Sequence, residues 1–190
     1  MILSDRDIKQ ALNSGDLVIE PLEDEAAQIQ PASVDLRLGD EFVGFQDLEF
    51  DEGYFDLGFS RADDYCTRLP LNETEGFVIL PGEFVLGTTI EIVKLPDYLV
   101  GRVDGRSSIG RMGILIHATA GFIDPGFEGK ITLEISNIGI FPVMLRPGMR
   151  FCQISFEQLT TRAERPYGTG RGSKYQGQTG VTPSRIHSDA

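Results

Sequence analysis

Residues 105–137 read GRSSIGRMGILIHATAGFIDPGFEGKITLEISN. In the last third of this stretch apolar and polar side chains alternate with a period of two, which is typical of a β-strand with one face in the core. The apolar face carries Ile131, Leu133 and Ile135, and the opposite face carries Thr132, Glu134 and Ser136. Two arginines, two adjacent serines and an aspartate occur in the same stretch. The sequence therefore predicts a strand-forming region that also carries groups able to bind anions or transfer protons.

Further runs that favour strands are distributed along the chain. They fall at residues 34–38, 77–80, 84–95, 114–123 and 149–156. Pro-Gly pairs, which favour turns, stand at 81–82, 125–126 and 147–148. Many short strands with such corners and little helix predict an all-β fold of the barrel or jelly-roll type.

One short helix is predicted near the N-terminus. Ser4 followed by Asp7 resembles a helix cap, and apolar residues then repeat at helical spacing from Ile8 to Leu12. Gly15 is the predicted end of this helix.

Length and composition favour one domain followed by a tail. A chain of 190 residues, 41% hydrophobic, can bury one sizeable core. We expect the domain at 1–159 and the tail at 160–190, which is basic and rich in Gly, Ser and Thr. Composition is compatible with two interpretations of the tail: a flexible end, or an arm that folds over a bound anion. Residues 44–76, acidic and aromatic, are assigned only as an excursion.

The sequence carries no sign of a membrane span, a secretory signal or a disulfide scaffold. It has no run of about 18 apolar residues, and the start MILSDRDIKQ lacks the basic beginning and apolar core of a secretory signal. We therefore expect a cytoplasmic protein. The two cysteines, Cys66 and Cys152, form no CxxC pair.

The net charge of −12 is unevenly distributed. Residues 1–100 hold 22 acidic and 6 basic residues, whereas residues 101–190 hold 7 acidic and 11 basic residues. An acidic chain repels a phosphate backbone, so we expect no general binding to nucleic acid. The basic second half suits a small anion such as a nucleotide phosphate. The acidic half is interpreted as a solvated surface, and its relation to a salt-rich cytoplasm stays open.

Three side chains of the opening stretch each allow a structural and a functional interpretation. Glu134 is either an ordinary strand carboxylate facing solvent, or a carboxylate in a partly buried cleft whose pKa is raised for proton transfer near neutral pH. Asp124 precedes Pro125 and is first of all a turn former. His117 lies in an apolar run, which favours a histidine packed in the core over a metal ligand or a catalytic base.

The segment GRSSIGR at 105–111 is a candidate anion site. Arg106, Ser107 and Ser108 offer charge, hydroxyl groups and close backbone approach to phosphate oxygens. The alternative is a polar loop. Arg111 adds a second cation without an acidic neighbour in the sequence.

Two common kinds of site are not expected. Zinc-dependent nucleobase deaminases carry H-x-E together with P-C-x-x-C, and the chain has neither pattern. The glycines also do not form the GxxxxGK[ST] pattern of P-loop enzymes.

Residues 105–137 resemble the signature of deoxycytidine triphosphate (dCTP) deaminases, which belong to the trimeric dUTPase-like superfamily. Four further segments resemble that family in order and spacing: 1–8, 30–39, 145–157 and 165–178. The resemblance implies a distorted β-barrel or jelly-roll subunit and a homotrimer with active sites at subunit interfaces, over which a C-terminal arm closes. It also implies deamination without zinc, with Mg²⁺ carried on the triphosphate oxygens rather than in a protein cage.

The resemblance implies a role for each matching residue. Glu134 occupies the place of the catalytic glutamate, which takes a proton from water and delivers protons to N3 and the departing amino group. Ser107 and Arg111 match residues that position this water. The implied substrate contacts are Arg106 and Ser108 at the triphosphate with Ile109 and Gly110 in the same segment, Asp124 near the sugar and base, Thr132 and Leu133 at the base, and Tyr167, Lys174 and Gln178 on the arm.

Residues 120–124 read AGFID, which is close to the A-G-x-I-D motif of dUTPases. The aspartate of that motif aligns a water against the phosphate chain. Ala120 and Gly121 therefore suggest a bifunctional enzyme that releases dUMP and diphosphate, and Gln153 fits the same pattern. The alternative is that Gly121 merely suits a bend in the strand.

Three other functions stay open at this point. A monofunctional deaminase would release dUTP. A dUTPase without deaminase activity is opposed by PGFEG at 125–129 and by a tail that lacks the Phe-containing glycine loop. A catalytically silent nucleotide-binding trimer would be expected to lack Glu134, Ser107 or Arg111, and all three are present. The resemblance also makes thymidine triphosphate (dTTP) a candidate feedback inhibitor, whose strength the sequence does not determine.

Overall fold

A computed structural model describes residues 1–46, 54–58, 60–72, 76–117 and 119–189. Within these ranges the helices are α1 (Asp5–Ser14), α2 (Glu25–Gln28) and α3 (Ser107–Gly110), with 3-10 turns at Ala62–Tyr65, Thr169–Arg171 and Ile186–Asp189. The strands are β1 (Val18–Glu20), β2 (Ile29–Gln30), β3 (Ser33–Arg37), β4 (Phe42–Phe45), β5 (Cys66–Leu69), β6 (Phe77–Ile79), β7 (Phe84–Lys94), β8 (Leu99–Gly105), β9 (Ile114–Ile116), β10 (Phe122–Ile123), β11 (Glu128–Asn137), β12 (Val143–Leu145) and β13 (Arg150–Gln158).

The described strands form two main antiparallel sheets. One sheet has the order β5-β4-β7-β11-β9, with β1 also paired to β7, and the other has the order β10-β8-β13-β3-β2. Strands β6 and β12 make a separate pair. The all-β prediction is confirmed. No closed barrel is found among the described strands, since each main sheet keeps two edges, and the hydrophobic core takes side chains from both sheets.

The N-terminal helix begins and ends where the sequence predicts. The Ser4 hydroxyl accepts the backbone N–H of Asp7, and the Asp7 carboxylate accepts the N–H of Ser4, so both orphan donors are satisfied. Gly15 ends the helix with a positive φ of 75°, a conformation that glycine adopts without steric cost. Ile8 is the fully buried residue that attaches the helix to the core.

The run 114–123, predicted as one strand, is divided in two. Strand β9 pairs with β11, and β10 pairs with β8 of the other sheet. Between them His117 adopts a positive φ of 58°, which is unusual for a residue other than glycine and turns the chain out of the first sheet. The prediction of a single strand was wrong, because the alternation of apolar and polar residues does not predict a positive φ at one residue within the run.

The alternation along β11 is confirmed, with the apolar set buried and the polar set half-buried. The register of β11 against β7 shifts between Lys130 and Thr132. At this bulge the N–H of Ile131 donates to the hydroxyl of Thr89 at 2.9 Å, and the hydroxyl of Thr88 donates to the carbonyl of Ile131 at 3.3 Å. A bulge changes the direction of the side chains that follow it. Here the buried hydroxyl groups of Thr88 and Thr89 hold the bulge that precedes Thr132 and Glu134.

The excursion at 44–76 contributes to the first sheet. Strand β5 pairs with β4 along four residues and forms the edge of that sheet. Residues 47–53, 59 and 73–75 of this excursion lie outside the described residues. No helix in the described part of the chain is long and apolar enough to cross a membrane.

Candidate active site

A cavity of about 720 Å³ lies between the polar face of β11 and the C-terminal segment. Its volume is in the range of ligand-binding pockets in general. It gathers seven of the residues proposed from the sequence: Ala120, Asp124, Thr132, Glu134, Tyr167, Lys174 and Gln178.

Glu134 projects from the middle of β11, where its backbone is held by both neighbouring strands. It stands opposite Leu86 of β7, and its carbonyl oxygen accepts the N–H of His117 at 3.0 Å on the other side. The hydroxyl of Thr119 donates to the carboxylate Oε2 at 2.6 Å. Within the described part of the chain this is the one side-chain hydrogen bond to the half-buried carboxylate, which therefore keeps lone pairs for a ligand or a water, as a proton-transfer group requires.

His117 lies in the wall of the cavity rather than in the core, so its interpretation as a core histidine was wrong. Its Nε2 is 2.7 Å from the carbonyl oxygen of Ala120. Because a carbonyl can only accept, Nε2 carries the hydrogen in this arrangement. The buried Nδ1 has no hydrogen-bond partner among the described residues. The positive φ of His117 therefore serves to place the ring across the Ala120 carbonyl beside Glu134.

Asp124 forms the predicted turn and also faces the cavity. Its carbonyl accepts the N–H of Phe127 at 3.1 Å, which closes the turn through Pro125 and Gly126. The N–H of Tyr167 donates to the carbonyl of Pro125 at 2.7 Å, so the C-terminal segment is attached to this turn. A Cβ on Gly126 would lie 2.6 Å from the carbonyl oxygen of Tyr167. This close approach needs glycine.

The C-terminal segment also lies along the first residues of β11. The N–H of Lys130 donates to the carbonyl of Gln178 at 2.9 Å, and the Gln178 amide Nε2 donates to the carbonyl of Lys130 at 2.6 Å. The N–H of Gly177 donates to the carbonyl of Glu128 at 2.7 Å. These contacts hold the C-terminal segment against β11. Glu134 lies on the same strand, two pleat repeats after Lys130.

Two tyrosines of the arm are coupled by a hydrogen bond. The N–H of Tyr175 donates to the hydroxyl oxygen of Tyr167 at 3.0 Å, and the Tyr167 ring packs 6.0 Å from that of Phe127. Burial raises the pKa of the Tyr167 phenol, and the Tyr175 amide opposes this rise. The phenol stays protonated near neutral pH and can donate to a ligand in the cavity.

The residues of segment 106–111 lie outside the cavity of their own chain. Ser107, Ser108, Gly110 and Arg111 are exposed on or beside α3, and Ile109 packs partly against the core. Arg106 is half-buried in an ion pair with Asp35. The structure therefore separates the proposed anion-binding segment from Glu134 within one chain.

Two further residues predicted to contact the substrate, Leu133 and Gln153, lie away from the cavity. The side chain of Leu133 is fully buried in the core, which leaves only its backbone to a ligand. Gln153 is half-buried on β13, opposite Asp35 on one side and Asp104 on the other. Neither residue lines the cavity described above.

Ala120 lines the cavity, and the neighbouring Gly121 has a packing role of its own. A Cβ on Gly121 would lie 2.5 Å from the carbonyl oxygen of Val103, and the N–H of Val103 donates to the Gly121 carbonyl at 2.7 Å. No larger residue fits there without displacing β8. Glycine at this position therefore has a structural reason that is independent of the reaction product.

The sequence did not single out several other residues of the site. Thr119, which donates to Glu134, gives no periodic signal because it follows the turn at His117. Aromatic side chains form an apolar part of the wall: Phe45, Phe84, Phe122 and Phe127. Among the described residues, no three His, Cys, Asp or Glu side chains are grouped so that they could hold a metal ion.

Comparisons with known proteins identify the family of the chain. The chain is 57% identical over 189 residues to a dCTP deaminase, dUMP-forming, from Dictyoglomus thermophilum, covering 100% of this chain and 96% of that protein. It is 54% identical over 189 residues to a dCTP deaminase from Natronomonas pharaonis, with the same coverage. The structure of 2′-deoxycytidine 5′-triphosphate deaminase from Agrobacterium tumefaciens matches with a TM-score of 0.62 at 28% identity, over 83% of this chain and 48% of that one. A profile described as dCTP deaminase-like matches residues 2–159, and the chain therefore belongs to the dCTP deaminase-like family.

Proposed function

We propose that the protein deaminates dCTP at C4 of cytosine. The observation that carries this proposal is the Glu134 carboxylate, hydrogen-bonded by Thr119 inside a cavity that the C-terminal arm covers. The names of relatives above 50% identity over the full chain support the same reaction.

The proposed mechanism uses Glu134 as the group that moves protons. Glu134 takes a proton from water as the water oxygen adds to C4, and passes a proton to N3. The hydroxyl group now on C4 then gives its proton to Glu134, which passes it to N4. The C4–N4 bond breaks as the C4=O bond forms, and ammonia leaves with dUTP as the other product. Proton transfer by a positioned carboxylate contributes on the order of 10²- to 10⁴-fold to the rate.

The active form is a homotrimer of dUTPase-like jelly-roll subunits in which segment 106–111 of one subunit completes the cavity of the next. Ser107 and Arg111 then position the attacking water, while Arg106 and Ser108 contact the triphosphate. The exposure of this segment in the single chain supports the arrangement. Nearby apolar side chains are also exposed, as an interface requires: Met112, Ile138, Ile140 and Phe141.

The arm, residues 160–190, is proposed to close over the bound nucleotide. Tyr167, Lys174 and Gln178 then contact dCTP, together with Asp124 and Thr132. The substrate is the Mg²⁺ complex of dCTP, in which the ion sits on triphosphate oxygens and lowers the charge that the chain must neutralise. We place the protein in the cytoplasm, with no nucleic acid or membrane partner, and leave dTTP as a candidate inhibitor.

The second step is hydrolysis of the triphosphate to dUMP and diphosphate before dUTP is released. Asp124 aligns the water for this step, next to Ala120 and Gly121. Relatives carry both names, dUMP-forming and plain dCTP deaminase, at nearly equal identity. Since Gly121 has a packing role, the presence of glycine alone does not distinguish the bifunctional enzyme from a deaminase that stops at dUTP.

Incubation of the purified protein with dCTP and Mg²⁺, followed by anion-exchange chromatography, tests both steps. Formation of dUMP and diphosphate with little free dUTP is the expected result. Accumulation of dUTP would retain the deaminase and remove the second step. If dCTP stayed intact while added dUTP was consumed, the protein would be a dUTPase and the deaminase assignment would be wrong.

A further inference from the structure

A buried carboxylate lies directly beneath the exposed segment 106–111. Asp35, on β3, has a side chain that is 2% exposed, and its Oδ2 is 3.0 Å from Nε of Arg106 and 3.2 Å from Nη1 of Arg150. Nη1 of Arg106 donates to the backbone carbonyl of Arg150 at 2.9 Å. These contacts join β3, the first residue of β13 and the residue that follows β8.

Few other interactions stabilise the conformation of segment 106–111. Helix α3 is a single turn, none of its residues is buried, and its N-cap residue Arg106 makes no side-chain capping bond. A single isolated turn of helix is unstable in water, so tertiary contacts must define it. Ile109 packs partly on the core, and the Asp35 contact fixes the first residue of the turn.

The charges of this cluster do not cancel. Arg106 and Arg150 share one carboxylate, and no other acidic group of the described residues lies within 4 Å of either guanidinium. Burial raises the pKa of Asp35, and the two guanidinium groups oppose that rise. The ionised cluster therefore carries a net positive charge beside two exposed serines. Each guanidinium keeps N–H donors that neither Asp35 nor a backbone carbonyl occupies.

We propose that Asp35 is the positioning residue of the phosphate-binding segment: it orients Arg106 and Arg150 as a pair, and thereby sets the affinity for the triphosphate without touching the substrate. This inference rests on the proposed function only in taking a triphosphate as the ligand. Its effect belongs to binding, whereas the effect of Glu134 belongs to the chemical step.

The test compares Asp35→Asn with Glu91→Gln. Glu91 is a matched control, since it is a fully buried carboxylate whose Oε1 is 2.7 Å from Nε of Arg37 and which makes no contact with Arg106 or Arg150. Binding of inorganic tripolyphosphate is measured by calorimetry, and kcat and KM are measured with dCTP. Asp35→Asn should raise the tripolyphosphate Kd and the KM at least about tenfold, as loss of charge-assisted hydrogen bonds does. Its kcat should stay within about threefold of wild type, and Glu91→Gln should leave the Kd and KM within about threefold.

Equal weakening of tripolyphosphate binding by both variants would overturn the inference, because the effect would then be one of general stability. Wild-type affinity in Asp35→Asn, or no tripolyphosphate binding by the wild type, would also overturn it. A wild type that binds tripolyphosphate but leaves dCTP intact would remove the proposed function, and the two variants would still decide the role of Asp35. Should Asp35→Asn fail to fold, Asp35→Glu keeps the charge and displaces the carboxylate, and wild-type affinity in that variant would contradict the proposal.

Discussion

Strand β11 and segment 106–111 carry the two halves of the proposed chemistry in very different surroundings. Strand β11 is paired with β7 on one side and β9 on the other, and its apolar face is fully buried. Segment 106–111 is an exposed turn held mainly at Arg106. The proposed proton-transfer group is therefore fixed by the sheet, whereas the proposed anion-binding groups depend on one buried carboxylate and, in the proposed trimer, on a neighbouring subunit.

The largest effect is expected on the β11 side. Glu134→Gln keeps the shape of the side chain and removes its ability to take a proton, so kcat for dCTP should fall about 10³-fold or more. Binding of dCTP and subunit assembly should be retained. The control is Glu128→Gln on the same strand, where an exposed carboxylate pairs with Lys94 at 3.0 Å. Turnover in Glu134→Gln equal to that of the control would refute the assigned mechanism.

The second prediction tests whether β11 and segment 106–111 meet across the proposed subunit interface. Glu134→Gln and Arg111→Ala should each be inactive alone, since each removes one half of every site. Unfolded together in equal amounts and refolded, they should recover activity at about a quarter of the sites, because random mixing pairs one intact half with another in a cyclic assembly. Absence of any recovery, with mixed assembly verified by mass spectrometry, would mean that each subunit forms its site alone.

Removal of the arm tests whether Glu134 can catalyse the reaction when no segment covers the cavity. A chain that ends at residue 164 lacks Tyr167, Lys174 and Gln178, and its kcat/KM for dCTP should fall about 100-fold, as for loss of a closing lid. The core should remain folded, since the buried apolar cluster lies before residue 160. Circular dichroism checks the fold, and full activity in the shortened chain would exclude a role for the arm.

A smaller effect is expected where β10 meets β8. Gly121→Ala should lower the free energy of unfolding by about 2 kcal/mol, because the new Cβ would clash with the Val103 carbonyl. Gly170→Ala, where a Cβ would meet nothing within 4 Å, should change stability by about 0.5 kcal/mol at most. Urea denaturation measures both, and the ratio of dUMP to dUTP is measured on the same samples. A fully stable Gly121→Ala enzyme would remove the structural reason for this glycine.

The smallest effect concerns the two thiols. Burial, with a contribution from Asp63, raises the pKa of Cys66 on the edge strand β5, and burial raises the pKa of Cys152 inside β13. A raised thiol pKa leaves less thiolate at pH 8 and slows alkylation, which should accelerate as pH increases. Iodoacetamide at pH 8 should modify Cys66 a fewfold more slowly than a free thiol and Cys152 only in denaturant. Rapid modification of native Cys152 would show that this sheet opens readily.

The sequence predicted those features that depend on local pattern. The alternation from Ile131 to Ser136 located the buried and polar faces of β11, and Ser4 with Gly15 defined the first helix. The turn at His117 was not predictable, because a positive φ in a residue other than glycine is imposed by tertiary contacts. The Asp35–Arg106 pair was also beyond pattern reasoning, since it joins residues far apart in the chain. The proposed functional residues of the arm came from family resemblance, because composition allowed a flexible tail equally well.

Tyr167 and Tyr175, which are linked by a hydrogen bond, provide a natural fluorescent probe of the arm. The chain contains five tyrosines and no tryptophan, so its ultraviolet emission is not masked by indole. Two of those five phenols lie in the arm above the cavity, one of them beside Phe127. Arm opening would change their solvation, and stopped-flow tyrosine fluorescence could therefore time the arrival and departure of nucleotide without any label.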